Sequence, residues 1–87
     1  MCELRLPRTL IPLYSDLPRI VEVDAGTVDE AITKLNDQWP GLRDRLCEPG
    51  PVLRPHINVF VDRERAALDS AITPTSRVDV IAAISGG

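Results

Sequence analysis

Gly86 and Gly87 close the chain, and a terminal diglycine is the residue pair with the clearest chemical potential here. The Gly87 α-carboxyl, with an ordinary pKa of about 3.3 to 3.7, is ionised at neutral pH and can attack an activated phosphate such as the α-phosphate of ATP. Two residues without Cβ let a tail enter a narrow active site and let its backbone approach a nucleotide closely. With glycine at about 7% of residues, such a pair arises by chance in roughly one chain in two hundred. The rest of the sequence must therefore decide whether it is a handle or a frayed end.

No other chemistry competes strongly with it. Cys2 and Cys47 lie far apart, without a C-x-x-C or paired Cys/His spacing, so neither a metal site nor a redox dithiol is encoded. His56 is the only histidine, and any Ser/His/Asp or Cys/His set would depend on it alone; it reads instead as a strand-edge residue. No catalytic residue, metal ligand or cofactor site is expected. The nine arginines alternate with carboxylates, as in Arg43-Asp44-Arg45 and Asp62-Arg63-Glu64-Arg65, and the net charge is -3. No single-sign field suited to a phosphate backbone is predicted, so nucleic acid is not an expected partner. Lys34 is the only lysine, which leaves few amines through which copies could be chained together.

Eighty-seven residues suffice for one small core and leave little room for a separate catalytic cleft, so a single domain over 1–87 is expected. The composition, 44% hydrophobic and 26% charged, is ordinary for a globular protein. No apolar run approaches the roughly 20 residues needed to span a bilayer. Leu10 to Tyr14 is too short and interrupted for a signal-peptide core. A cytoplasmic protein with no membrane partner is the expectation.

The elements that would position the tail are legible in the hydrophobic pattern. Cys2, Leu4 and Leu6 alternate with Glu3 and Arg5, predicting a half-buried strand bounded by Pro7 and Pro12. After the turn-like Ser15-Asp16-Leu17-Pro18, Ile20 to Val23 predicts an antiparallel partner. Thr27 and Glu30 form an S/T-x-x-E capping box, with Asp29 at the positive end of the helix dipole. Val28, Ala31, Ile32, Leu35 and Trp39 continue from it as one apolar stripe. Pro40-Gly41 ends that helix, Leu42 and Leu46 predict another turn or two, and Glu48-Pro49-Gly50-Pro51 reads as loop.

Ile57, Val59 and Val61 alternate with Asn58 and Phe60 in a further strand, with Phe60 pointing away from the other three. Asp62 to Arg65 reads as the turn into a short partner, Leu68 to Ser76 as irregular, and Arg77 to Ile81 as the last strand. This order predicts an α+β fold of the β-grasp type, a mixed four- to five-stranded sheet crossed by one main helix. The first and last strands would lie parallel at its centre. The diglycine would then leave the end of a central strand as a flexible tail over about 82–87.

Four segments resemble the MoaD/ThiS family of ubiquitin-like sulfur carriers. They are Thr27-Val28-Asp29-Glu30-Ala31, the run Trp39-Pro40-Gly41-Leu42-Arg43-Asp44-Arg45-Leu46, Leu53 to Val61 as the third strand, and Ile84-Ser85-Gly86-Gly87. Thr75-Ser76-Arg77 stands where the family has an acidic, glycine-containing turn, and Ala82-Ala83 where it often has a proline. The resemblance implies a carrier and not a catalyst. An ATP-dependent, ubiquitin-activating-type enzyme would adenylate Gly87, sulfur from a persulfide relay would displace AMP, and the thiocarboxylate would serve a sulfur-acceptor enzyme in cofactor or amino-acid biosynthesis. Gly86, Ser85 and Ile84 would be recognised as the tail, and Phe60, exposed on the open sheet face, as a partner surface. The same resemblance admits a small subunit of molybdopterin synthase, or a ubiquitin-like protein modifier.

Overall fold

A computed structural model describes residues 1–8, 10, 14 and 16–82. The elements run β1 (Cys2–Arg5), β2 (Ile20–Val23), α1 (Val28–Gln38), α2 (Leu42–Leu46), β3 (Cys47–Glu48), β4 (Val52–Leu53), β5 (Ile57–Val61), β6 (Glu64–Ala66) and β7 (Arg77–Ala82). Five of the strands form one mixed sheet in the order β2-β1-β7-β5-β6, so the last strand of the sequence is central. Strand β1 pairs parallel with β7, placing Glu3 opposite Arg77 and Arg5 opposite Asp79, while all other pairings in this sheet are antiparallel. This is the predicted β-grasp arrangement, with α1 as the crossover that parallel strands require.

Period-2 alternation decides which side chains meet α1. Leu4, Val23, Ile57, Val59, Val78 and Val80 are buried beneath the helix stripe of Val28, Ala31, Ile32 and Leu35, together with Leu6, Leu42 and Leu46. Val21, opposite Leu4 in the register, is half-buried against the same cluster. Trp39, the last residue of the predicted stripe, packs at the rim of this core and its indole N–H donates to Asp16 Oδ1 at 3.0 Å.

The limits of α1 are local chemistry. Thr27 Oγ1 accepts from the Glu30 amide at 3.1 Å, while Glu30 Oε1 reaches back to the Gly26 amide at 2.9 Å, one residue before the cap. Two more amides of the first turn are satisfied from a distant segment: Val28 N–H donates to the Ser70 carbonyl and Asp29 N–H to the Leu68 carbonyl. At the other end Gly41 adopts φ +94, a conformation that favours glycine. Asn36 Oδ1 accepts from both the Gly41 and Arg43 amides, joining α1 to α2.

Two sequence expectations change. The stretch Leu53 to Val61 is not one strand, because Arg54-Pro55-His56 turns the chain: Leu53 belongs to β4, which pairs with β3 in a separate two-stranded ribbon, and the sheet strand begins at Ile57. Of the expected loop at Glu48 to Pro51, Glu48 belongs to β3 and pairs with Val52, and only Pro49 to Pro51 form the connection within that ribbon. The irregular stretch from Leu68 is nonetheless anchored, with Leu68, Ile72 and Ser76 buried and Ser76 Oγ accepting from the Thr73 amide at 2.9 Å. Pro12 and Ser15, expected at the boundaries of the first loop, lie outside the described residues.

Candidate functional site

The strand that leads to the diglycine is β7, flanked by β1 on one side and β5 on the other, and it runs through Ala82. Residues 83–87, and with them the expected handle Gly87 and the tail residues Gly86, Ser85 and Ile84, lie outside the described residues. The site that can be built is the surface around the end of β7.

On the sheet face opposite α1, cross-strand registers place Ile20, Arg5, Asp79, Phe60 and Arg65 in one row across β2, β1, β7, β5 and β6. Phe60 thus lies on the expected face, but it is half-buried and not fully exposed. The open apolar side chains of this face are Ile20 and Ile81, exposed by 47% and 48%. The β5–β6 connection is a two-residue turn with positive φ at both Asp62 and Arg63, the geometry that suits hairpin twist. Asp62 Oδ1 accepts from the Arg77 amide at 2.9 Å, fixing the start of β7 against this turn.

Beside the end of β7 is a notch of about 370 Å³ lined by Arg5, Arg8, Arg19, Arg77, Asp79 and Ile81 among others. Arg5 Nε meets Glu3 Oε2 at 2.8 Å and Arg77 Nε meets Asp79 Oδ2 at 3.3 Å, while Arg8 and Arg19 are exposed and form no ion pair among the described residues. Sequence reasoning missed this cluster, because Arg77 is far from Arg5, Arg8 and Arg19 in sequence and the charges along the chain as a whole are mixed in sign. No local signal marks them as neighbours; the β1–β2 and β1–β7 pairings bring them together.

The remaining candidates behave structurally. Cys2 and Cys47 are free and buried, and burial pushes both thiols above the ordinary thiol pKa; for Cys47 the nearby Arg43 opposes this without overcoming it. A buried thiol held neutral is a poor nucleophile. His56 is exposed in the turn before β5. Among the described residues, no cluster of three or more His, Cys, Asp or Glu is arranged to hold a metal ion, and no helix is long and apolar enough to cross a membrane.

The sheet order, the parallel pairing of first and last strands and the single crossover helix define a ubiquitin-like β-grasp protein. SAMP1 from Haloferax volcanii is 30% identical, with 99% of this chain and 98% of that one covered at a TM-score of 0.81. Two further structures share the fold at 23% identity: the Amycolatopsis orientalis BexX/CysO complex, covering 100% of both chains at TM-score 0.89, and Mycobacterium tuberculosis CysO, covering 97% and 100% at 0.84. The chain belongs to the MoaD/ThiS-type family of ubiquitin-like proteins. No protein-family model matches the sequence. No curated protein sequence matches it either.

Proposed function

We propose that this chain is a sulfur carrier that works as a single domain with a C-terminal tail over 83–87, one residue shorter than the sequence suggested because Ala82 belongs to β7, and that Gly87 is its reactive residue. The observation that carries this reading is that the sequence ends in a diglycine, with Gly87 five residues beyond the end of the central strand β7, in a chain whose family is that of ubiquitin-like carriers and modifiers. A fold of this kind supplies a rigid base for a tail and needs no catalytic residues of its own. The Gly87 carboxylate attacks the α-phosphate of ATP in the active site of a ubiquitin-activating-type enzyme, with pyrophosphate leaving. The terminal sulfur of a relay persulfide then displaces AMP to give an acyl disulfide, a thiol attacks the relay sulfur of that disulfide so that the thiocarboxylate leaves and a relay disulfide remains, and the thiocarboxylate passes to a sulfur-acceptor enzyme of cofactor or amino-acid biosynthesis in the cytoplasm. Gly86, Ser85 and Ile84 thread the partner's channel, and Phe60 contributes to the surface on which the partner rests.

Incubation with the activating enzyme of the same organism, ATP and a sulfur source is expected to replace one oxygen of the protein by one sulfur, read by intact mass. Deleting Gly87 is expected to abolish this exchange while leaving the folded spectrum intact, since β7 ends at Ala82. Normal sulfuration of the deletion variant would sink the reading.

A second reading is favoured by the likeness to SAMP1, a homologue of which from Methanosarcina acetivorans is described as a small archaeal modifier protein. As a modifier, Gly87 forms isopeptide bonds to lysines of other proteins. Conjugates of higher mass, lost with Gly87 and resistant to reduction and denaturation, would establish that use. Self-linked chains would have to run through Lys34 or the N-terminus, because no other lysine is present.

A further inference from the structure

The arginine notch beside the end of β7 is uncommitted by the fold. Its four arginines face one lining carboxylate, Asp79, in a protein whose net charge is -3, so the field there runs against that of the molecule as a whole. Arg5 and Arg77 lean on Glu3 and Asp79, but Arg8 and Arg19 form no ion pair among the described residues. A guanidinium is more weakly hydrated than an ammonium and presents a planar fork that matches a carboxylate with two parallel hydrogen bonds. Ile81 in the lining and Ile20, in register with Arg5, add exposed apolar surface at the same place.

Position then selects the occupant. Five residues separate Ala82 from the Gly87 carboxylate, and a chain of that length reaches at most about 17 Å when fully extended. An enzyme that binds the carboxylate within that radius must lay its own surface over the root of the tail, where the notch opens.

We propose that the notch formed by Arg5, Arg8, Arg19 and Arg77 receives an acidic segment of the enzyme that adenylates the tail, docking the carrier through carboxylate–guanidinium pairs before Gly87 enters the active site. This rests on the carrier reading above. Arg8 and Arg19 supply the free charge, Arg5 and Arg77 exchange or share their present partners, and Ile20 and Ile81 pack at the rim. Docking of this kind sets the rate of productive encounter and its salt dependence, and leaves the chemistry at the carboxylate untouched.

The test is ATP–pyrophosphate exchange by the activating enzyme of the same organism, with wild-type protein and with the charge-reversed double variant Arg8→Glu/Arg19→Glu. The double variant is expected to raise KM by about tenfold or more with kcat little changed, and added salt is expected to raise KM for the wild type far more than for the variant. Both side chains are exposed, so circular dichroism is expected to show a folded variant; Arg8→Gln/Arg19→Gln, which removes charge without reversing it, should fall between the two. An unchanged KM in a double variant that is adenylated normally overturns the notch and leaves the carrier reading standing. No exchange and no binding with the wild type overturns the carrier reading and the notch with it. In an NMR titration with inorganic phosphate, saturable shifts at the Arg8 and Arg19 amides at concentrations found in cells would mean that the notch holds a small anion, and would also overturn the proposal.

Discussion

The two faces of the five-stranded sheet are built from alternate residues of the same strands and serve opposite ends. Toward α1, Leu4, Val59, Val78 and Val80 are sealed under Ile32 and Leu35, and there each side chain is constrained by the volume of its neighbours. One position along each strand, Glu3, Arg5, Phe60, Arg77, Asp79 and Ile81 form a face of charges and half-covered apolar groups held by exposed ion pairs. Exposed pairs of this kind are worth only about 0 to 1 kcal/mol each. The inner face therefore carries the stability, and the outer face is free of that constraint, as the proposed docking of a partner there requires. A protein this small can separate the two only because the side-chain period of a strand is two.

The division is tested hardest on the inner side. Ile32→Ala or Leu35→Ala is expected to cost about 2 to 5 kcal/mol, a large share of the stability of a domain of this size, measured by urea unfolding. Full stability in both variants would show that the helix-covered face is not the core. Thr27→Ala removes the hydroxyl that accepts the Glu30 amide and is expected to cost about 1 kcal/mol by the same measurement. A cost well below that would mean that the carbonyls of Leu68 and Ser70 already suffice to hold the first turn. Phe60→Ala is expected to have the smallest effect on folding, about 0.5 kcal/mol, while weakening binding to the activating enzyme in a direct titration. A loss as large as that of Leu35→Ala would move Phe60 from the recognition face to the core, and its half-burial beside Asp79 and Arg65 makes this the sharpest place to look.

Helix α1 and the alternation in β1, β5 and β7 were legible in the amino-acid order, because caps and apolar stripes are properties of residues close in sequence. Thr27 and Glu30 start the helix and Pro40-Gly41 stops it through contacts spanning three or four residues. The β3–β4 ribbon escaped notice because two-residue strands carry no periodicity. The capping of α1 by Leu68 and Ser70 escaped because those carbonyls meet their amides only after about 40 intervening residues have folded. The same reason separates the tail from its base. The proposal that the Gly87 carboxylate is activated rests on sequence alone, on two residues at the end of the chain. The tertiary structure alone decided that Arg5, Arg8, Arg19 and Arg77 gather beside β7, because strand pairing brings the first strand, with the N-terminal arginines around it, against a last strand whose Arg77 lies dozens of residues away in sequence.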